Sequence, residues 1–473
     1  MSTKSKSNRI YFLAICGTAM ASLAAMLKKK GYDIYGSDEN LYPPMSTFLE
    51  EQQIPVFKGF DPAHLDPAPD LIIVGNVISR GNVEIEEILD RHLPYMSLPE
   101  ALRDFMIRGN RSIVVTGTHG KTTTTSLVAW IFDYAGKNPG FMIGGIPLNF
   151  GRGYQVGGGG DFILEGDEYD SAFFDKAAKF LRYMPDIGII NNIEFDHADI
   201  YKSLDDIKLA FRRFVNLIPR NGLLVVCRDN EAAVEVSGKA FCPVVTFGDS
   251  PQADWRAEQV VATATGSEFL VVRRGEKLGR TVLPLAGGHN IRNALAAMAV
   301  ADHAGIKMEV ILAALREFKG IKRRLEYVGE ACGVELYDDF GHHPTAIKET
   351  LAAFRARFPR ERIFALYEPR SATTRRNIFQ KEFVGVFQDA DYILVPPVNR
   401  PDKVPAGELF SCAQLAADLV QSGKQAAHLQ DTAAMVAYLV EHLQTGDKVI
   451  TFSNGPFDNI HKKLMDALKS KNS

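Results

Sequence analysis

The segment Gly117-Thr-His-Gly-Lys-Thr-Thr123 closes an apolar run and is followed by two more threonines. A strand, a glycine-rich turn and a helix start, in that order, aim several backbone N–H groups at one point, where they cradle phosphate. Gly117, Thr118, His119, Gly120 and Thr123 are the expected loop contacts. Lys121 would reach the terminal phosphates, and the Thr122 hydroxyl would ligate Mg²⁺. The usual pattern has glycine where this chain carries Val115. The site implies ATP or GTP and leaves the reaction open.

Two acidic segments end other apolar runs. Glu165-Gly-Asp-Glu-Tyr-Asp170 comes about forty-five residues after the phosphate loop, and strand-end carboxylates are where NTPases hold Mg²⁺. Asn191-Asn-Ile-Glu-Phe-Asp-His-Ala-Asp199 places His197 between Asp196 and Asp199. The pair suits two Mg²⁺ ions bridging ATP phosphates and a developing acyl phosphate. A solvated turn and a structural histidine are the plainer readings. Gly288-His-Asn-Ile-Arg-Asn293 opens a helix; its amides could read an adenine edge, or Asn290 could simply cap the helix. Lys322-Arg-Arg324 stands at a domain boundary, and Tyr337-Asp-Asp-Phe-Gly-His-His-Pro344 ends a later strand. A cation entering from a separate domain would stabilise transferring phosphate charge.

These residues need a scaffold of alternating strands and helices. With 473 residues, 46% hydrophobic and 23% charged, the chain supports about three soluble domains. A net charge of −3 gives no reason to expect nucleic acid or an anionic membrane as partner. The five cysteines are dispersed, with no Cys-x-x-Cys, which argues against a zinc ribbon or disulfide framework and for a reducing cytoplasm. Residues 10–27 carry no charge and are flanked by Lys4, Lys6 and Arg9 before and Lys28-Lys-Lys30 after, as in a signal peptide or short span. They read better as a strand at 10–15, a turn at Gly17-Thr18 and a helix at 19–30 capped by Gly31, leading to a strand at 33–38. Removing that segment would orphan the strand that follows.

The fold class is therefore α/β in three domains. Residues 1–107, with further strands at 55–58 and 71–75 and a helix at 84–91, form a Rossmann-like unit. Only Gly17 marks its first turn, so a nucleotide or nucleotide-sugar fits it better than a redox dinucleotide. Residues 108–321 form a central ATP-binding unit with strands at 162–165, 187–191 and 222–226 and a flexible glycine loop at 157–160. A small antiparallel patch from 244–247, 269–272 and 281–285 precedes a helix at 290–304. Residues 322–473 form a second Rossmann-like unit, with strands at 334–337, 363–367, 392–395 and 448–452. Its helices fall at 345–358, 432–443 and 459–468, before a frayed tail.

In order and approximate spacing along nearly the whole chain, these motifs resemble the Mur ligase family, the ATP-dependent amide-bond-forming enzymes of peptidoglycan synthesis. Asn40-Leu-Tyr-Pro-Pro-Met-Ser-Thr47, Gly75-Asn…Arg80-Gly-Asn82 and Asp167-Glu-Tyr-Asp-Ser-Ala-Phe-Phe-Asp-Lys176 are similar to one branch. That branch attaches L-alanyl-γ-D-glutamyl-meso-diaminopimelate to UDP-N-acetylmuramate in cell-wall recycling. The branch that attaches L-alanine shares Thr118-His119-Gly120 and Asp338-Asp339…His342-His343-Pro344, and is the alternative. A non-catalytic nucleotide-sugar sensor is a remoter one.

The resemblance implies ATP and Mg²⁺, with Thr122, Glu168 and His197 as metal ligands. Lys121, His197, Arg324 and His343 would be catalytic, and Asn290, Asn293, Arg324 and Asp339 would contact the nucleotide. Gly17, Thr18, Ser37, Asp38, Asn76 and Ser79 would hold the UDP-sugar. His343 would lie near the incoming amine, and Arg370 would grip a carboxylate of the peptide. Several members carry a carbamylated lysine fifteen residues after the metal histidine; that position is Arg212 here, which cannot be carbamylated. The expected state is a cytoplasmic monomer or weak dimer with no nucleic-acid or membrane partner.

Overall fold

The computed structural model describes residues 8–263 and 265–471. Its first sheet is wholly parallel, in the order Val56–Lys58, Asp33–Asp38, Arg9–Leu13, Leu71–Val74, Tyr95–Ser97. The uncharged segment is thus the buried strand Arg9–Leu13 and the helix Thr18–Lys29. Lys4 and Lys6 lie outside the described residues. Among those described, no helix is long and apolar enough to cross a membrane.

The second sheet has ten strands. Its parallel core runs from Val244–Phe247 through Leu223–Cys227, Ile187–Ile190, Arg111–Thr116 and Asp161–Glu165 to Gly140–Met142. The inner strands are near-continuous apolar runs because helices cover both faces; Ile113, Val114 and Val115 are fully buried. Trp255–Thr263, Gly266–Arg273 and Glu276–Leu283 form an antiparallel meander at one edge. Val244–Phe247, expected in that patch, pairs in parallel with Leu223–Cys227 instead. The glycine run 157–160 is pinned rather than loose: the N–H groups of Gly158 and Gly159 donate to the Asn138 carbonyl at 3.1 and 3.0 Å.

The third sheet is ordered Glu326–Ala331, Val334–Asp339, Lys448–Phe452, Ile363–Tyr367, Tyr392–Val395, Gln425–His428, with only the first strand antiparallel. The last helix, Ile460–Lys471, runs through most of the expected tail, whose final two residues lie outside the described residues.

The junctions between units differ in kind. Leu98, Ala101, Leu102, Met106 and Ile107 join the first unit's core to Val114, Phe162, Phe180 and Tyr183 in one continuous apolar cluster. The third unit keeps separate cores and meets the second through polar groups. Arg292 pairs with Glu349, Ala198 N–H donates to Thr373 at 3.2 Å, and Arg376 donates to the Ala198 carbonyl at 2.8 Å.

Candidate active site

Gly120 ends the phosphate loop at φ +78°, just before the helix Lys121–Tyr134. A Cβ there would lie 2.5 Å from Asn293 Oδ1, so both the backbone sign and the close approach require glycine. Asn293 also accepts a hydrogen bond from Thr124 at 3.1 Å. It therefore braces the back of the loop while also lining the cleft. Asn290 lines the cleft and donates to Ala286 O at 2.8 Å; the helix is capped by Gly287, not by Asn290. The Thr118 and His119 N–H groups are bound to Asn192, at 3.1 and 2.8 Å, so they are not open to phosphate. The first turn of the following helix, at Lys121, Thr122 and Thr123, supplies N–H groups without intrahelical acceptors.

Lys121 Nζ lies 2.9 Å from Glu168 Oε2, and His197 Nε2 lies 3.1 Å from Glu168 Oε1. Glu168 is 2% exposed, so the Lys121 ammonium and the His197 ring are the partners that make its charge tolerable. Burial opposes ionisation of all three, yet their mutual attraction prevails: the Glu168 pKa is lowered and those of Lys121 and His197 are raised. His197 holds a left-handed backbone (φ 55°), and its ring lies 4.1 Å from that of Tyr169. Donor atoms of Asp167, Glu168 and His197 lie within 4.8 Å of one another. Two carboxylates and an imidazole converging on one point form a donor set that a divalent cation fits, and carboxylate oxygens suit Mg²⁺ or Mn²⁺. Across the loop, Thr122 Oγ1 stands 3.3 Å from both Glu165 Oε2 and Arg324 Nη2. Arg324 thus reaches the phosphate loop from the domain boundary, whereas Arg323 is tied to Asp338 and to the Ser453 and Gly455 carbonyls.

Glu194 was not singled out by sequence, yet it organises a second cluster. His119 Nε2 lies 3.2 Å from its Oε2, Thr345 donates to the same oxygen at 2.7 Å, and His343 Nδ1 lies 3.5 Å away. Both His343 nitrogens are engaged: Nε2 donates to Phe195 O at 3.2 Å and Nδ1 accepts from Thr345 N at 3.3 Å. Burial holds its pKa well below the usual imidazole value. His343 is therefore a neutral clasp between units in this arrangement, not a free group beside an amine. His289, also missed, lines the cleft, and burial pushes its pKa down to about 4. Asp339 lines the cleft too, but its carboxylate accepts from Leu325 N at 2.8 Å and Gly341 N at 2.7 Å.

These groups border a cleft of about 1130 Å³ that runs from Thr18 and Phe48 past Lys121 to Ser371 and Asn454. It joins the first unit to the carboxyl ends of the third sheet. Of the expected UDP-sugar contacts, Thr18 lines it. Gly17 opens the first helix, and Asp38 accepts from Cys16 N at 2.8 Å beside that turn. Asn76 and Ser79 are exposed on the loop after Leu71–Val74. Ser37, at the end of the same sheet, is fully buried, and its hydroxyl donates to the buried Glu84 at 2.7 Å. Arg370 does not line the cleft; it lies 3.4 Å from Glu368 and packs so closely on the Gly455 backbone that a Cβ there would overlap its guanidinium. Arg212 pairs with Glu235, as does Lys208.

The chain matches the Mur ligase family catalytic domain over residues 9–109, the Mur ligase middle domain over 115–301 and the Mur ligase glutamate ligase domain over 323–455. It is 41% identical to the UDP-N-acetylmuramate–L-alanyl-gamma-D-glutamyl-meso-2,6-diaminoheptandioate ligase of Escherichia coli, covering 98% of this chain and 99% of that one. The chain belongs to the Mur ligase family. Within the family it is 34% identical to a UDP-N-acetylmuramate–L-alanine ligase of Desulforapulum autotrophicum, over 98% of this chain and 99% of the relative. A crystal structure of a murein peptide ligase from Psychrobacter arcticus superposes with a TM-score of 0.73 at 36% identity, covering 98% of each chain. This chain and that ligase thus share the Mur ligase three-unit α/β arrangement.

Proposed function

We propose that this Mur ligase joins L-alanyl-γ-D-glutamyl-meso-diaminopimelate to UDP-N-acetylmuramate in the cytoplasm, using ATP and Mg²⁺, in peptidoglycan recycling. The observation that carries the reading is the buried Lys121–Glu168–His197 cluster opening into one cleft shared by all three units. The 41% relative supports the tripeptide over L-alanine as the amine. Residues 1–107 would hold the UDP-sugar, 108–321 the ATP and 322–473 the peptide.

A carboxylate is a poor electrophile, so it must first be activated. The lactyl carboxylate oxygen attacks the terminal phosphorus of ATP; an acyl phosphate forms and ADP leaves. The neutral peptide amine then attacks the acyl carbon, phosphate departs, and the amine's surplus proton is released. Lys121 and the helix start before Thr123 would hold the phosphates, and Arg324 would meet the transferring group from the other side. Thr122, Glu168 and His197 would hold Mg²⁺, which when bound neutralises developing phosphate charge. Lys121 would leave Glu168 for phosphate as the dication arrives, so the pair keeps Glu168 ionised until then.

The test is ADP release from purified protein with Mg²⁺ and each substrate alone or together. The reading expects sustained release only with UDP-N-acetylmuramate and tripeptide both present. Release indifferent to either one contradicts it.

A further inference from the structure

Between the metal cluster and the first unit lies a hairpin that the chemistry above does not use. Asp170–Ala172 and Asp175–Ala178 pair antiparallel as a separate two-stranded sheet immediately after Glu168 and Tyr169. Its root is bound into the cluster. The Tyr169 ring packs at a tilt against His197, Lys179 N–H donates to Tyr169 O at 3.0 Å, and Lys179 Nζ pairs with Asp167 at 2.8 Å. Tyr201 donates to the Glu168 carbonyl at 2.7 Å. Its arms are stitched as well: Ser171 donates to Ala177 O at 3.1 Å, Lys176 pairs with Asp170 at 2.6 Å and Arg182 with Asp175 at 2.8 Å.

Its tip reaches the other unit. Phe173 packs against the apolar cluster under the first sheet, which includes Leu13, Ala14, Val74 and Ile78. Those residues carry the two loops at which Gly17, Asn76 and Ser79 stand. Phe174 meets Tyr95 edge-on, with ring centres 5.0 Å apart. From Glu168 to Phe173 is five residues of largely extended chain, on the order of 16 Å. The Glu168 carboxylate, held by Lys121 and His197, at one end and an aromatic wedge under the first unit's loops at the other make a short, cross-braced strut.

We propose that this hairpin couples the acceptor site to the metal site: UDP-N-acetylmuramate settling on the first unit's loops fixes Phe173 and Phe174, and through them the carboxylate of Glu168. Phe173 and Phe174 are then positioning residues. The proposal rests on the function proposed above and adds to it a coupling between the nucleotide-sugar loops and the metal site. Linkage makes it measurable without turnover, because coupled ligands must tighten each other's binding by the same factor.

The experiment titrates full-length protein with Mn²⁺, read by electron paramagnetic resonance, with and without saturating UDP-N-acetylmuramate and without ATP. The wild-type protein should bind Mn²⁺ at least about fivefold tighter when the nucleotide-sugar is present. Phe173→Ala should reduce that factor below about twofold while each ligand alone binds within about threefold of wild type, and Phe173→Leu should restore it. Phe174→Ala and Tyr95→Ala probe the same contact from its exposed side, so the answer survives a Phe173 variant that fails to fold. The Phe174/Tyr95 double variant should lose no more coupling than either single one. Absence of tightening in the wild type, or full tightening in the Phe174 and Tyr95 variants, overturns the strut. If amide product still forms in that case, only the strut fails; if the wild type neither binds nor consumes UDP-N-acetylmuramate, the proposed function fails and takes the strut with it.

Discussion

The two junctions of this molecule are built from opposite materials. Between the first and second units, Leu98, Leu102 and Ile107 continue one core into another. Between the second and third, His343, Glu194, Arg376, Ala198 and Thr373 meet through hydrogen bonds, and Arg292 pairs with Glu349. A continuous apolar seam holds two units at a fixed angle, because opening it exposes hydrocarbon to water. A polar seam exchanges its partners for water at small net cost, so the third unit is the one suited to move. On the function proposed above, the unit that would carry the acceptor is fixed relative to the phosphate loop, and the unit that would carry the amine is the one free to close onto it.

Both seams converge on Lys121, and the largest expected effect lies there. Lys121→Ala should lower turnover at least about a thousandfold, or about 4 kcal/mol, while the calorimetric affinity for UDP-N-acetylmuramate stays within about threefold. A matching loss of nucleotide-sugar affinity would mean that the first unit does not hold the acceptor by itself. In the apolar seam, Leu102→Ala removes a side chain that is 1% exposed and should cost about 3 kcal/mol in denaturant unfolding. A loss below about 1 kcal/mol would show that the seam is not a true core. On the third unit, Arg370 stands outside the cleft wall but next to Ser371, which lines it, and Arg370→Lys and Gly455→Ala should each raise the tripeptide KM about tenfold, or about 1.4 kcal/mol, with the ATP KM little changed. The first removes the guanidinium and the second displaces it, so an effect in only one of them would separate charge from placement.

The smallest effects belong to the polar seam itself. Arg376→Ala should cost about 1 kcal/mol or less in global stability, in contrast to Leu102→Ala. Acid should open this seam first. Burial lowers the pKa values of His342 and His343 below the ordinary imidazole value, so below about pH 6.5 the undocked chain takes up protons that the docked one excludes. Glu194, whose pKa is likewise depressed in the docked state despite its burial, adds to the loss at lower pH as the undocked carboxyl protonates. Small-angle scattering should show expansion as pH falls from 7 to 5, and His343→Asn should blunt it. Expansion unchanged in that variant would place the acid-sensitive groups elsewhere.

How much of this was legible depends on where the information lies. The phosphate loop, Glu168 and His197 could be read because a strand end and a turn are local, and each motif carries its chemistry within a few residues. The strands Asp33–Asp38, Ile363–Tyr367 and Lys448–Phe452 were bounded correctly for the same reason. The Ser37–Glu84 contact could not be read, because which face of a strand meets a buried partner is decided by pairing, not by sequence neighbours. The bond between Asn293 and Thr124 could not be read either, because the two lie 169 residues apart. Glu194 went unnoticed because its partners, His119, His343 and Thr345, come from three distant segments. The hairpin was visible only as an unusual string of aromatic and charged residues; its reach to Tyr95 is a property of the assembled units.

The most direct test of the account gives the protein ATP-Mg²⁺ and UDP-N-acetylmuramate with equal concentrations of tripeptide and L-alanine, and weighs the amide products by mass spectrometry. A fixed acceptor and a peptide-gripping third unit predict that the tripeptide conjugate dominates by at least about tenfold, equivalent to about 1.4 kcal/mol in the competing transition states. A product mixture dominated by the L-alanine conjugate would contradict the assignment of the third unit, and no amide product at all would contradict the ligase.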